Sequence, residues 1–197
     1  MIRLGFFIKI VLEHSSHSPT KRKAVTTKVW WLAINKNDNL SSYEEIKERK
    51  IVALFFPEID DLTPILDSYR GDEEQWFDTV QKRQDSLGAS DDLNAAVKYG
   101  ARALRYLLRS KAGDLVVAIE GTDIRGICQI DGDSTGNYRY EKTCRGAHIV
   151  ADGIKWYDLP TAIAGLFAVS SRGVQGARQM HDSAQLALEI WEKLIAA

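Results

Sequence analysis

Leu115-Val-Val-Ala-Ile-Glu120 and Ile124-Arg-Gly-Ile-Cys-Gln-Ile130, joined by Gly121-Thr-Asp123, form the stretch that decides the fold. Two apolar, β-branched runs separated by a short Gly-containing link predict a hairpin with a three-residue loop. Upstream of it, Leu93, Val97, Ala101, Leu104 and Leu108 recur at spacings of three and four. That period predicts an amphipathic helix from about Ser90, ended by Ala112-Gly113. Further back, Val25 to Ile34 reads as a strand, and Asn35-Lys-Asn-Asp-Asn39 as the polar turn after it. Ser42 with Glu45 makes a capping box for a short helix to about Lys50, and Ile51 to Phe56 reads as a buried strand stopped by Pro57. Asp60 to Gln84 reads as a loop-and-helix excursion over the core.

Downstream, the turn residues Asp131 to Gly136 lead into Asn137-Tyr-Arg-Tyr140. A last strand is expected in Ala147 to Val150 or in Ile154 to Tyr157. Beyond Pro160 the pattern is helical, with Leu186, Ala187, Ile190, Trp191, Leu194 and Ile195 on one broad face starting near Asp182. The expected class is α+β around a compact mixed sheet. Residues 1–23 read as an arm and linker, 24–160 as the main domain, and 161–197 as a helical segment. That last segment either folds back on the core or leads to a further domain.

The 197 residues, 45% hydrophobic and 27% charged, suit a globular chain with a real core. Only Cys128 and Cys144 are present, with no paired Cys-x-x-Cys spacing, so neither a zinc site nor a disulfide framework is expected. A reducing cytoplasmic setting follows. Apolar Met1 to Leu12 is broken by Arg3 and Lys9, and no window approaches the ~20 apolar residues of a membrane span. A net charge of −1 removes the usual electrostatic footprint of nucleic-acid binding. Any such role would rest on local patches at Lys21-Arg22-Lys23 with Lys28, at Lys47 to Lys50, and along Arg102, Arg105, Arg109 and Lys111. Each also reads as an ordinary solvated face.

No phosphate-binding loop or nucleophile elbow is present, and His14, His17, His148 and His181 are dispersed. Catalytic residues, metal ligands and cofactors are therefore not assigned. Asp114 with Glu120 resembles the acidic pair of a metal-dependent nuclease, but Thr122 stands where a lysine is expected. A turn residue and a strand-end charge explain them more simply. The aromatics are more telling, because an unstacked base is held by ring stacking. Trp30 and Trp31 are adjacent on a strand, so they face opposite sides; one can sit in a core while the other lines a cleft. Trp156 and Tyr157 repeat that arrangement. Tyr138 and Tyr140 share a face, with Arg139 opposite.

The order Val29-Trp-Trp-Leu-Ala-Ile34, Ile51 to Thr63, Lys111 to Gly121, Arg125 to Ile130, Tyr138-Arg-Tyr140 and His148 to Trp156 resembles the EVE branch of the PUA-like superfamily. Such domains occur at the N-terminus of McrB-type restriction ATPases. The resemblance covers roughly Lys28 to Asp158. It implies a small pseudo-barrel with flanking helices and an aromatic pocket for a flipped, often modified, base. The candidate base-binding residues are Trp30, Trp31, Asn35, Phe55, Phe56, Tyr138 and Tyr140, with Arg102 and Arg105 from the local basic patch. The resemblance further implies a DNA partner, RNA being the alternative, and a nucleotide-hydrolysing motor and nuclease, fused or separate, with no membrane. The chain departs from the pattern at Phe55-Phe56, where Gly-Trp is usual, and at Asp60, where Gly is usual. The insertion from Asp67 to Ala89 lengthens the segment before the helix and is expected to cover the cleft or to supply contacts of its own.

Overall fold

The computed structural model describes residues 27–34, 43–56, 59–68, 103–144, 146–167 and 176–196. The arm 1–23, Asn35, Arg102 and most of the 67–89 insertion lie outside them. The chain is α+β, and its described strands form two sheets rather than the single mixed sheet expected, with no closed barrel among them. In chain order the elements are β1 (Val29–Ile34), α1 (Tyr43–Glu48), β2 (Val52–Phe55), α2 (Thr63–Ser68), helical residues 103–107 as α3, β3 (Leu115–Glu120) and β4 (Asp123–Gln129). They continue with α4 (Ser134–Asn137), β5 (Arg139–Glu141), β6 (Ala147–Ala151), β7 (Tyr157–Asp158), α5 (Thr161–Ala164), β8 (Ala177–Gln179) and α6 (Ala184–Ile195).

The first sheet has the order β7-β4-β3-β1-β8, with β1 parallel to β3 and every other pair antiparallel. The second has the order β2-β6-β5 and is antiparallel throughout. Parallel neighbours need a long crossover, and here the chain between β1 and β3 contributes β2 to the other sheet. The hairpin expected at Leu115 to Ile130 is present. Its turn is tighter than expected, since Glu120 pairs with Asp123 and only Gly121 and Thr122 lie between. Gly121, at φ 66, takes the left-handed conformation that this turn requires.

β3 is buried at every position because both faces of its sheet are covered. Trp30, Leu32, Val116 and Ala118 face the second sheet, with Ile46, Leu104 and Ile149 in the same core. Val29, Trp31, Val117 and Ile119 face the other way, where Ala187, Ile190 and Trp191 of α6 close over them. Residues 161–197 were expected as a helical segment or linker. Their described part is built into the fold: β8 pairs with β1, and α6 lies on the first sheet. Ile195, placed on the apolar face from sequence, is exposed.

α3 ends before the Ala112-Gly113 stop expected for it. The Ser110 hydroxyl bonds back to the Leu107 carbonyl at 2.5 Å and to Ser134 at 2.6 Å, an alternative to continuing the helix. Gly113, at φ 90, serves instead in the turn that enters β3.

Candidate functional site

Adjacent on β1, Trp30 and Trp31 have opposite surroundings. Trp30 is 1% exposed, and its indole Nε1 donates to Asp114 Oδ2 at 2.9 Å. Asp114 also accepts from the backbone N–H groups of Lys28, at 2.9 Å, and Lys111, at 3.1 Å. One buried carboxylate thus holds the start of β1, the entry to β3 and the indole together. Trp30 is a fixed part of the core.

Trp31 packs edge-on to Phe167, with ring centroids 5.9 Å apart. Its indole N–H makes no hydrogen bond to another described residue. Beside it lies a cavity of about 210 Å³ lined by Trp31, Arg178, Gln179, His181, Asp182 and Ser183. The register explains the lining: Trp31 stands directly opposite Arg178 on β8, and directly opposed residues share a face. His181 and Asp182 are exposed on the link into α6. The volume falls below the ~300 Å³ lower end of pockets for drug-sized ligands, so it suits one small ring or headgroup. The lining offers an aromatic wall, a cation, an imidazole, a carboxylate and an amide. Of these, sequence reasoning singled out only Trp31 and set His181 aside as one of four dispersed histidines; the polar positions of Ala177-Arg-Gln-Met180 were the available signal for the rest.

The other designated aromatics lie on the second sheet. Tyr140 pairs with His148 and Leu54 with His148, so these three share a face, whereas Phe55 pairs with Ala147 on the opposite one. Tyr138 joins the first group. Its hydroxyl accepts from Leu62 N at 3.1 Å and meets His148 Nδ1 at 2.9 Å, while His148 Nε2 lies 3.3 Å from the Phe56 carbonyl. A carbonyl only accepts, so Nε2 carries the proton and Nδ1 receives the Tyr138 hydroxyl proton. Burial lowers the His148 pKa to about 4, which keeps the ring neutral. Phe55 and Phe56 are half-buried against the core. The fold therefore brings Tyr138 and Tyr140 together, and separates them from Phe55 and from Trp31.

The basic patches are partly occupied. Lys47 binds Asp158 through both carboxylate oxygens, at 2.8 and 2.7 Å, and Arg49 binds Glu141 at 2.5 Å. The Tyr43 hydroxyl donates to the same Asp158. Its ring lies against Gly126, where a Cβ would stand 2.0 Å from the Tyr43 oxygen. Arg105 is half-buried on α3.

Asp114 and Glu120 bracket β3, and at ~3.3 Å per residue they sit roughly 20 Å apart. They cannot share a cation. Glu120 is paired with Arg125 at 2.8 Å. Among the described residues no three metal-ligating side chains converge, and no helix is long and apolar enough to cross a membrane. Cys128 and Cys144 are free thiols. The chain matches no family model, no curated protein and no solved structure.

Proposed function

We propose that the chain is a nucleic-acid recognition module that takes one unstacked base, modified in its natural target, into the Trp31 cavity. The observation that carries this reading is the cavity itself. It combines the indole of Trp31, the amide of Gln179, the carboxylate of Asp182 and the cationic Arg178 in a volume suited to a single ring. Aromatic contact supplies base-independent affinity, and the amide and carboxylate offer hydrogen bonds to a base edge. Arg178 stands beside it to meet a phosphate.

The resemblance to EVE and PUA-like pseudo-barrels agrees with this assignment, and so does the aromatic first strand. DNA is the favoured partner. Catalysis belongs to a fused or separate motor and nuclease, the arrangement of McrB-type restriction systems, and this chain supplies specificity in the cytoplasm. RNA is the alternative ligand.

The test is fluorescence anisotropy with labelled duplexes carrying one modified cytosine or adenine, their unmodified counterparts, single strands and matched RNA. Trp31→Leu should weaken the best ligand by about 10- to 100-fold, the equivalent of ~1–3 kcal/mol for a stacked base. Arg178→Gln should lower the salt slope by about 1. If folded Trp31→Leu binds every ligand as the unaltered chain does, the cavity is not the base site.

A further inference from the structure

Carboxylates elsewhere on the fold meet cations: Asp158 binds Lys47, Glu141 binds Arg49 and Glu120 binds Arg125. The Trp31 cavity is different. Arg178 and Asp182 line the same cavity, yet neither makes a side-chain hydrogen bond or ion pair to another described residue, and the same holds for Gln179 and His181. The backbone around Asp182 is nonetheless held. Met180 donates its N–H to the Val29 carbonyl at 2.7 Å, and the Ser183 carbonyl accepts from Ala187 N at 3.0 Å. The two-residue link that carries His181 and Asp182 is thus tied to β1 at one end and to α6 at the other. A group held in this way needs little further ordering when a ligand arrives.

The four polar side chains differ in what they can offer a ligand. The Gln179 amide and the His181 imidazole can each turn a donor or an acceptor toward it, so neither selects. The Arg178 guanidinium only donates, which suits a phosphate or the O2 carbonyl that cytosine, thymine and uracil share. The Trp31 ring does not discriminate either, because every base has a π-face. Asp182 is the exception. A carboxylate only accepts, so it gains from an N–H on the base edge and is opposed by a carbonyl oxygen there. The amino groups of cytosine and adenine are such donors, whereas thymine and uracil carry a carbonyl at the equivalent position. We propose that Asp182 makes the Trp31 cavity selective for a base bearing an exocyclic amino group over thymine and uracil, a selectivity that rests on the base-site reading above.

The test is a titration of the full ¹⁵N-labelled chain with cytidine 5′-monophosphate and with uridine 5′-monophosphate, followed by nuclear magnetic resonance. The two probes share the sugar, the phosphate and the single-ring size. The signal read is the Trp31 indole N–H, assigned by its loss in Trp31→Leu. Cytidine monophosphate should bind about three- to ten-fold more tightly than uridine monophosphate, below the full effect of a buried charged hydrogen bond because Asp182 is exposed. Asp182→Asn, at that exposed position, removes a charge that repels phosphate and should strengthen both probes. It also supplies a donor for the uracil carbonyl, so the ratio of the two affinities should fall to about one. Equal binding of the two probes to the unaltered chain, tighter binding of the uridine probe, or a preference that survives Asp182→Asn would overturn the proposal and leave the base site standing. If neither probe moves the Trp31 signal, the base-site reading fails and this selectivity fails with it.

Discussion

The two faces of the first sheet differ most at two neighbouring residues. Trp30 and Trp31 share a residue type, a strand and near-complete burial, at 1% and 4% exposure. On the Trp30 face a buried carboxylate meets the indole N–H, and the second sheet closes the layer. On the Trp31 face no described residue accepts from the indole N–H, and a cavity lies between β8 and the start of α6. Burial alone therefore does not separate a core tryptophan from a site tryptophan; what lies beside the indole does. A tryptophan bonded to a buried carboxylate serves stability, and one beside a polar cavity is placed to receive something.

The largest test of that contrast is Asp114→Ala. It leaves three donors in or near the interior without an acceptor, the N–H groups of Lys28 and Lys111 and the indole of Trp30, each costing about 1–3 kcal/mol when buried and unsatisfied. A loss of about 3–5 kcal/mol is expected from urea unfolding, a large share of a typical domain's 5–15 kcal/mol. Asp114→Asn should cost less, because the amide oxygen still accepts. A midpoint unmoved by Asp114→Ala would remove the clamp from the account of the Trp30 face.

His148 tests the same closed side by acid. Its folded pKa of about 4 lies below the ordinary 6.5, so the unfolded chain binds the proton first as pH falls. The stability this contributes is complete above about pH 6.5 and is lost progressively down to about pH 4. The full loss is about 3 kcal/mol, at 1.36 kcal/mol per pH unit. Unfolding free energies measured at intervals from pH 7 to pH 4 should show that slope, and His148→Gln should flatten it. An equal slope in the variant would mean that other groups carry the acid sensitivity.

The sequence was legible where a local rule decides the outcome. β-Branched runs about a glycine turn marked β3 and β4, and a 3.6-residue period marked α6. Strand alternation placed Trp30 and Trp31 on opposite faces, but it could not say which of them met an acceptor. That depends on Asp114, 84 residues away from Trp30 in the chain. Phe55 and Tyr140 were grouped as one aromatic set because composition carries no register, and the pairing through Ala147 and His148 puts them on opposite faces. Arg178 and Gln179 escaped notice because three strand residues give too short a period to read, and their meaning comes from pairing with β1.

The finest test compares the tryptophans directly. Trp30→Phe and Trp31→Phe remove the same volume from the same strand, so the packing losses largely cancel between them. Trp30→Phe also removes the donor to Asp114, and hydrogen bonds to charged groups contribute about 1.5–3 kcal/mol. Trp31→Phe breaks no hydrogen bond among the described residues. The first variant should therefore be less stable than the second by about 2 kcal/mol in urea unfolding at neutral pH. In oligonucleotide binding the order should reverse. Trp31→Phe loses the larger indole face at the cavity and should weaken the best ligand by several-fold, whereas Trp30→Phe should leave affinity unchanged while the chain is folded. Equal stability losses would show that the Asp114 bond contributes nothing net, and equal binding losses would show that the two faces are not functionally distinct.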